Sequence, residues 1–452
     1  MSWKKIKLGS ILTESKVISE NPDTNKRIKV RLKVLGVEKR GIENEVEGAT
    51  KQFIRRAGQF IFGKQNFHKG AFGIVPDELD SFESSSDLPA FDIDKSCLPE
   101  FLFYFFKQGN YYLELTKIAY GVATQRINMK EFFELEITLP DIEIQKQIVS
   151  QFKTLENGGL EISSELTHEL SLIKQLRQAF LREAMQGKLV KSTNTKETGQ
   201  QLLTKIKAEK AQLIAENLPA GKAGKLKKDP PVGRAGKELP PISEEEIPFE
   251  IPDHWAWCRL GEAVNEVADV DHKMPQKRAE GIPYISPRDF NGKNGIDFEN
   301  AKKISEEDYI QLSRKIKPEK FDIIFPRYGT IGVNRFLEEN IKFLPSYSCV
   351  TIKTNKTFTS PKYIFYYSIS PFSKIEIKKH TVQTTQPNVG IKSILEFRLP
   401  LPPLHEQEQI VAKLEELMVF CDGLEQSIKE SQGYNEMLLQ QVLREALQGE
   451  KV

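Results

Sequence analysis

Side chains that can discriminate nucleic-acid bases recur at corresponding places in the two halves of this 452-residue sequence. Arg, Lys, Asn and Gln distinguish base edges through paired donors and acceptors, and each good bidentate contact contributes roughly 1–3 kcal/mol of discrimination. In the second half the candidates are Ser286, Arg288, Arg327, Tyr328, Thr330, Thr384, Gln386 and Asn388. In the first half they are Lys64, Gln65, Asn66, His68, Lys69, Thr124, Gln125, Arg126 and Asn128. Any one of them could be an ordinary polar surface residue, but their recurrence favours a DNA-contacting role for the group.

Motifs that carry catalysis or bind a metal are missing from the sequence. There is no G-x-x-x-x-G-K-S/T loop, no strand-linked G-x-G-x-x-G, no H-E-x-x-H and no zinc-type pair of cysteines. Gly329-Thr330-Ile331-Gly332 lacks the lysine that would neutralise a phosphate, so we interpret it as a tight turn. The six histidines form no recognisable motif with a nearby nucleophile. We therefore expect no catalytic residue and no metal site.

One string is similar to a methyltransferase motif. Asp229-Pro230-Pro231-Val232 resembles the (D/N)PP(F/Y/W) sequence with which amino-methyltransferases hold a target adenine. It lacks the aromatic residue that would stack on a flipped base, and it lies in a stretch rich in Lys, Gly and Pro. A self-sufficient DNA adenine methyltransferase with a degenerate motif stays open as an alternative. So does a coiled-coil scaffold without a DNA role.

The elements that would position these side chains are duplicated, because the sequence repeats itself. The matching segments are QAFLREAMQGKLV (178–190) with QQVLREALQGEKV (440–452), and 121–140 with 381–400. The offset between partners grows from 252 near the start to 262 in the terminal helix, as loop insertions in a duplicated unit would produce. Residues 35–95 and 282–353 have little in common. The pattern therefore predicts a duplicated frame around a divergent middle.

Each half predicts a mixed α/β domain that is followed by a long helix. Short β-rich runs with turn residues, such as Phe60–Gly63 and Phe321–Pro326, are typical of strands. Leu98–Phe106 and Pro361–Tyr367 are helical in pattern. After each domain, apolar residues recur at spacings of three and four, which is the signature of a narrow seam. Because each seam needs a partner and its duplicate is available, we expect the two long helices to pair.

Glycines interrupt both helical patterns at nearly equivalent positions. We expect Gly158, Gly159 and Gly423 to kink or split the helices. The stretch from Ile162 to Met185 would measure roughly 35 Å at about 1.5 Å per residue. That length is close to one turn of B-DNA, so domains at its two ends could face the same side of a duplex.

The pattern divides the chain into five segments. They are a first recognition domain (1–143), a helical spacer (144–190), a helical and flexible linker (191–246), a second recognition domain (247–403) and a second helical spacer (404–452). Within the linker, Glu197–Glu216 is charged and helical in pattern. Pro219–Pro241 is too rich in Gly, Pro and Lys to build a core, which indicates a solvated tether.

Composition is typical of a globular protein, with 39% hydrophobic and 28% charged residues. No apolar run approaches the roughly 18–20 residues that span a bilayer, and no signal-type apolar core follows Met1. We therefore expect a cytoplasmic protein without a membrane partner. Cys97, Cys258, Cys349 and Cys421 lack paired spacing and are interpreted as small buried hydrophobes in a reducing compartment. The net charge of +2 indicates that any basic DNA-binding field is local.

In combination, these residues resemble the specificity subunit of type I restriction-modification systems. The segments are W-x-x-x-x-L-G at Trp3 and Trp255, D-I-I-F-P-R-Y-G-T-I-G from Asp322, T-Q-P-N from Thr385, L-P-L-P-P-L-H-E-Q-x-Q-I-V from Leu399 and L-R-E-A-x-Q-G from Leu443. The resemblance covers essentially the whole chain. No single segment would be specific, whereas their order is.

The resemblance implies two mixed α/β target recognition domains, each for one half of a bipartite site in double-stranded DNA, with an antiparallel coiled coil as spacer. It implies that two copies of a modification methyltransferase subunit dock on the helical frame, and that restriction endonuclease subunits join through them. S-adenosylmethionine, ATP and Mg would then be bound by partner subunits, and this subunit would bind no cofactor. Lys64–Gly73 stands where the second half has Arg327–Gly332, and Arg126 stands in the counterpart of T-Q-P-N. Such departures are expected if the domains recognise different half-sites.

Overall fold

The computed structural model describes residues 3–41, 50–121, 125–191, 197–216, 239–382, 385 and 387–448. The chain forms two compact units, of which unit 1 comprises residues 1–170 and 426–452 and unit 2 comprises residues 171–425. Each unit contains one mixed α/β domain, as the sequence predicts, together with a part of both long helices. No helix within the described ranges combines the length and the apolar character needed to cross a bilayer.

Unit 1 is built mainly of short strands. They are β1 (Lys4–Lys7), β2 (Leu12–Glu14), β3 (Ile28–Val30), β4 (Val37–Lys39), β5 (Gln52–Ile54), β6 (Phe60–Phe62), β7 (Phe72–Ile74), β8 (Glu83–Ser85), β9 (Ala90–Ile93), β10 (Ala119–Tyr120), β11 (Arg126–Ile127) and β12 (Glu136–Leu139). Its helices are α1 (Pro99–Lys107), α2 (Met129–Glu134) and the first part of α3 (Ile142–Met185). The central sheet is antiparallel with the order β2-β9-β6-β7, and β1 pairs with β12.

Unit 2 begins within α3 and continues with further helices, which are α4 (Gly199–Glu216), α5 (Leu260–Ala263), α6 (Glu306–Leu312), α7 (Pro361–Ile369), α8 (Pro371–His380), α9 (Ile391–Leu395) and the first part of α10 (Leu404–Gln448). Its strands are β13 (Ala256–Arg259), β14 (Val264–Ala268), β15 (Ile282–Ile285), β16 (Phe290–Asn291), β17 (Gly295–Ile296), β18 (Lys302–Ile304), β19 (Ile323–Pro326), β20 (Arg335–Phe336), β21 (Leu344–Pro345), β22 (Cys349–Thr354), β23 (Thr381–Val382), β24 (Asn388–Val389) and β25 (Arg398–Leu401). The central antiparallel sheet has the order β14-β22-β19-β20, and β13 pairs with β25.

The two central sheets have the same strand order, which confirms the duplicated frame and extends it. β6, β7 and β9 correspond to β19, β20 and β22, although these strands lie in the segments that look dissimilar in sequence. The divergence of sequence in the middle segments therefore does not extend to the order of these central strands. A fully buried strand needs only apolar residues that tolerate extended backbone, and β6 and β19 satisfy this with different side chains. The units differ in added strands, such as the β18-β15-β21 sheet of unit 2.

A buried glutamine anchors each long helix to its domain. In unit 1 the side chain of Gln145 accepts a hydrogen bond from the Leu98 N–H and donates to the carbonyls of Ser96 and Pro140, each at 2.8 Å. In unit 2 the equivalent Gln407 accepts from the Ser360 N–H and donates to the Pro402 carbonyl, each at 2.9 Å. Both glutamines are fully buried. Each one therefore joins the first turn of the helix to the Leu-Pro strand end and to the start of α1 or α7.

Both long helices are continuous, so the prediction that glycines split them is wrong. α3 runs without interruption through Gly158 and Gly159, and α10 runs through Gly423. A glycine costs about 1 kcal/mol relative to alanine inside a helix, which a long helix with packed faces tolerates. Gly159 also allows close packing in unit 1, because a Cβ there would lie 2.6 Å from Leu439 Cδ1.

Within unit 1 the two helices run antiparallel. The Asn435 amide donates to the Gly159 carbonyl at 2.9 Å, and the Gln432 amide contacts the Thr167 hydroxyl at 3.3 Å further along α3. The helix pair predicted from the apolar spacing is therefore present. The predicted seam is less complete, because Ile162 is exposed.

The helical part of the predicted linker is integrated into unit 2. α4 confirms the helix predicted over Glu197–Glu216, but Leu202, Leu203 and Ile206 are buried in the main core of the unit. Lys210 Nζ donates to the Gly261 and Val264 carbonyls at 2.6 and 2.7 Å, where α5 ends. Burial lowers the pKa of Lys210 to about 8. The tether predicted at Pro219–Pro241, including Asp229-Pro230-Pro231-Val232, lies outside the described residues up to residue 238.

The four cysteines are free thiols and all are buried, which confirms their interpretation as small core residues. Burial raises the pKa of Cys97 and of Cys349 to about 12. These thiols therefore stay protonated and unreactive at neutral pH.

Candidate nucleic-acid interface

In unit 1 the loop that follows β6 lies against the hairpin formed by β10 and β11. The Ile127 N–H donates to the Lys64 carbonyl at 2.9 Å, and Tyr120 pairs with Arg126 next to the hairpin loop. Gln125 precedes β11 in the hairpin loop. The two candidate clusters of the first half, 64–69 and 125–128, are thus brought together by backbone pairing.

Unit 2 repeats this arrangement. The Val389 N–H donates to the Arg327 carbonyl at 3.0 Å, and Tyr328 forms a β-bridge with Asn388. Arg327 is the first residue after β19, and Lys64 is the second residue after β6. The hairpin formed by β23 and β24 is the counterpart of the hairpin formed by β10 and β11. The correspondence between the candidate clusters of the two halves is therefore confirmed in backbone geometry.

Most of the candidate side chains in the described residues are open to solvent at least in part. They are Lys64, Gln65, Asn66, Lys69, Gln125, Arg126 and Asn128 in unit 1 and Ser286, Arg288, Tyr328, Thr330 and Asn388 in unit 2. Gln125 and Arg288 are exposed and form no hydrogen bond or ion pair with the described part of the chain. Three further candidates, Thr124, Thr384 and Gln386, lie outside the described residues.

Three candidates have structural roles that the sequence did not reveal. His68 is 8% exposed, and its Nδ1 has no hydrogen-bond partner; burial and the charge of Lys69 lower its pKa, so the imidazole is neutral. A DNA contact would require His68 to leave the core. Asn128 caps α2 by accepting from the Lys130 N–H at 3.1 Å. Ser286 donates to the Asp289 carboxylate at 2.9 Å within a capping box.

Arg327 is buried and paired, which differs from the exposed base contact that its sequence context suggests. It is 6% exposed, and its Nη2 lies 2.8 Å from Asp269 Oδ2. Its Nε donates to the Tyr347 carbonyl at 3.3 Å, and its guanidinium carbon lies 4.5 Å from the centre of the Tyr328 ring. These contacts occupy Nε and Nη2, so a base-edge contact through either of those atoms would compete with a protein partner.

Two more side chains, which the sequence analysis did not identify, contact the carboxylate of Asp269. Lys315 Nζ lies 2.6 Å from one carboxylate oxygen, and His272 Nε2 lies 2.8 Å from the other. Burial alone would raise the pKa of Asp269, but hydrogen bonds from Lys315 and His272 and the charges of Lys315 and Arg327 hold it below its ordinary value. The sequence signal that could have identified this cluster is Asp269 at the end of an apolar strand pattern, with His272 three residues later.

Unit 1 has a looser acid–base pair beside its own hairpin. Arg126 Nη1 lies 3.4 Å from Asp87 Oδ1, and both side chains are about half exposed. The Asp87 carbonyl also accepts from the Lys64 N–H at 2.9 Å. Because exposed ion pairs contribute little, Arg126 can exchange Asp87 for another partner at small cost.

The long helices also expose apolar side chains at equivalent positions. Ile162 of unit 1 and Leu424 of unit 2 are separated by the repeat offset of 262 residues and are 48% and 38% exposed. The same offset relates Leu172 of unit 2 to Tyr434 of unit 1, which are 46% and 64% exposed. Each unit thus presents one such residue on α3 and one on α10.

A family model described as the type I restriction modification DNA specificity domain matches residues 2–172 and 252–431. The specificity subunit of the type I restriction enzyme EcoAI of Escherichia coli is 29% identical over 274 residues, which cover 57% of this chain and 42% of that protein. The EcoKI specificity subunit of Escherichia coli K12 is 22% identical over 366 residues, covering 79% and 66%. The chain thus spans less than half the length of the EcoAI subunit in the matched region.

Two solved structures share the fold. A chain from a study of complex assembly and conformational transition in a type I R-M system superposes with a TM-score of 0.61 at 18% identity, covering 99% of this chain and 98% of that chain. The HsdS subunit of Thermoanaerobacter tengcongensis superposes with a TM-score of 0.50 at 16% identity, covering 99% and 97%.

Proposed function

We propose, since the chain belongs to the family of type I restriction-modification DNA specificity domains, that it is the non-catalytic specificity subunit of such a complex. Each unit recognises one half of a bipartite sequence in double-stranded DNA. The helical frame holds two copies of a modification methyltransferase subunit, through which restriction endonuclease subunits join. S-adenosylmethionine, ATP and Mg are bound by those partners, and the assembly works on DNA in the cytoplasm.

The observation that carries this proposal is that the two units share a backbone frame but have different side chains at equivalent positions. Both units have the same central strand order, and in both a hairpin strand donates to the residue after a buried strand. Arg126 occupies the hairpin position in unit 1 that Asn388 occupies in unit 2. Arg pairs best with guanine and Asn with adenine in the major groove. A frame that carries different base-recognising side chains at equivalent positions suits two half-sites of different sequence.

The docking of two identical partners is supported by the repeated apolar positions on the helices. Ile162 and Tyr434 in unit 1 correspond to Leu424 and Leu172 in unit 2. Exposed apolar side chains at repeat-related positions provide two similar surfaces, and two similar surfaces suit two copies of one partner. Substituting Ile162 and Leu424 separately by Asp should each lower the number of bound modification subunits from two to one, measured by native mass.

The function is tested by selecting preferred duplexes from random DNA with the assembled complex of this chain and its modification subunit. We expect a bipartite sequence with a fixed spacer. A chimaera that carries residues 1–143 of a relative should change one half-site and leave the other unchanged. If the complex prefers no bipartite sequence, the proposal fails; if the chimaera changes neither half-site, the chain is a scaffold.

The enzyme alternative makes a separate prediction. A self-sufficient methyltransferase would bind S-adenosylmethionine as the isolated chain, which calorimetry detects directly. We expect no heat of binding with this chain alone and a clear signal once the modification subunit is added. Binding by the isolated chain would overturn the assignment of catalysis to the partner.

A further inference from the structure

We propose that unit 2 binds a phosphate of the DNA backbone at a cluster of basic side chains that contact the carboxylate of Asp269. The cluster consists of His272, Lys315 and Arg327. This inference rests on the proposed DNA-recognition function and adds a ligand site to it. It also gives Arg327 a backbone-contacting and positioning role in place of direct contact with a base.

The charges of the cluster do not balance within the protein. One carboxylate faces Lys315 at 2.6 Å and Arg327 at 2.8 Å, so two permanent positive charges meet one negative charge even when His272 is neutral. The neighbouring Asp271 forms no ion pair or hydrogen bond with any described residue. A phosphodiester carries one negative charge and would complete the balance, which a partly buried cationic group favours.

The cluster also has hydrogen-bond donors to spare. An ammonium has three donors and a guanidinium has five. Lys315 uses one on Asp269, and Arg327 uses Nε on the Tyr347 carbonyl and Nη2 on Asp269, with His272 Nε2 3.3 Å from the same Nη2. Within the described part of the chain Arg327 Nη1 donates to no acceptor. Charge-assisted contacts from Arg and Lys are the usual means of holding phosphate oxygens.

Access to the site is graded. The side chains of Asp269 and Arg327 are 2% and 8% exposed and form its floor, whereas those of Lys315 and His272 are 38% and 58% exposed and form its rim. An anion can therefore approach from solvent without any change in the core. A buried floor fixes the geometry, and a mobile lysine at the rim can adjust to the backbone of a duplex.

The site lies directly beside the turn that carries exposed candidates for base contact. Arg327 packs over the Tyr328 ring, and its carbonyl accepts from Val389 in the neighbouring hairpin. Thr330 is exposed two residues further along. Phosphate contacts set the register of a protein on the duplex, and base contacts then specify sequence. A phosphate held at Arg327 would fix the position of Tyr328, Thr330 and Asn388 along the second half-site.

The test uses the full chain assembled with its modification subunit and compares Lys315→Gln with the wild type. Binding is measured over a range of salt concentrations on the preferred duplex and on random DNA. We expect roughly tenfold weaker binding to both duplexes, because the variant loses one charge-assisted contact to a phosphate. The magnitude of the salt slope should fall by about 0.9, which corresponds to one phosphate. Lys315→Arg should restore the slope.

A second measurement locates the phosphate. Duplexes in which single phosphates near the second half-site are replaced by neutral methylphosphonates should weaken wild-type binding at one position. At that position Lys315→Gln should add no further loss, because the two changes remove the same contact. Lys342→Gln is the matched control, since Lys342 is an exposed lysine of unit 2 that pairs with Glu306 at 2.7 Å. It should leave both measurements unchanged.

Two results would overturn the phosphate site. One is an unchanged salt slope and affinity for Lys315→Gln; the other is a selective change of base preference, which would make Lys315 a base contact. A loss of hydrogen-exchange protection in unit 2 would identify a structural role instead. If the wild-type complex binds DNA without bipartite preference, the proposed function fails, while the salt slope on random DNA still decides the phosphate site.

Discussion

Replacing Gln145 by leucine should destabilise unit 1 without affecting unit 2. The amide is fully buried and serves three backbone groups, the Leu98 N–H and the carbonyls of Ser96 and Pro140. A hydrogen bond of this kind contributes about 0.5–1.5 kcal/mol, and the three together therefore contribute about 2–4 kcal/mol. Leucine has a similar volume, so the loss is polar and no cavity forms. We expect a total loss of about 2–4 kcal/mol.

Hydrogen exchange followed by mass spectrometry is the suitable assay, because a chain of two units does not unfold in one transition. A loss of about 2–4 kcal/mol lowers protection roughly 30- to 1000-fold for amides that exchange by opening of unit 1. The change should appear in the core strands of unit 1 and be absent from those of unit 2. Gln407→Leu should give the reciprocal result, because it lacks only the equivalent contacts in unit 2.

The control is Gln147→Leu, which changes an exposed glutamine in the same turn of α3. It should leave exchange unchanged. Unaltered protection in Gln145→Leu would refute the argument that this amide joins the helix to the domain. Equal losses in both units would refute the assignment of the two glutamines to independently opening units.

Three further predictions follow from single contacts. Burial lowers the pKa of Lys210 to about 8. Between this pH and about 10.5, Lys210 therefore keeps its proton in the unfolded chain but has lost it in the folded chain. Unit 2 should thus gain roughly 2 kcal/mol between about pH 7.5 and 9.5, and Lys210→Met should abolish this rise in hydrogen-exchange protection. Gly158→Ala should stabilise α3 by up to about 1 kcal/mol in thermal unfolding, whereas Gly159→Ala should not, because its Cβ would lie 2.6 Å from Leu439 Cδ1. Arg126→Ala should relax one position of the first half-site by about 1–3 kcal/mol in competition binding and leave the second half-site intact.

The frame of the protein was predictable because its constraints are local and repeated. The strand runs at Phe60 and Phe321, the helices near Leu98 and Pro361 and the two long helices all follow from apolar spacing. The failures arose where tertiary packing outweighs a local signal. Gly159 indicates a break by propensity, but its missing side chain accommodates Leu439, so it favours a continuous helix.

The position of the linker helix in the core of unit 2 was not predicted, for a related reason. Charged residues dominate the segment over α4, and they obscure the apolar face of Leu202, Leu203 and Ile206. Three apolar residues on one side of a helix bury enough area to dock it, whereas composition averages over both sides. Pattern along the helix therefore decides its placement more than overall charge.

The equivalent positions Lys64 and Arg327 show how much of the candidate interface could be predicted from the sequence. Both follow a buried strand and both accept from a hairpin strand, so their equivalence was visible from the repeat. The state of each side chain was not predictable, because it depends on an acid far away in sequence. Asp269 pairs with Arg327 in the buried floor of the cluster, whereas Lys64 pairs with no carboxylate among the described residues. A residue whose type suits base recognition can thus have a structural role when it is paired with a buried carboxylate. Under the proposed function, the specificity of unit 2 depends on the residues that Arg327 positions, namely Tyr328 and the turn beyond it.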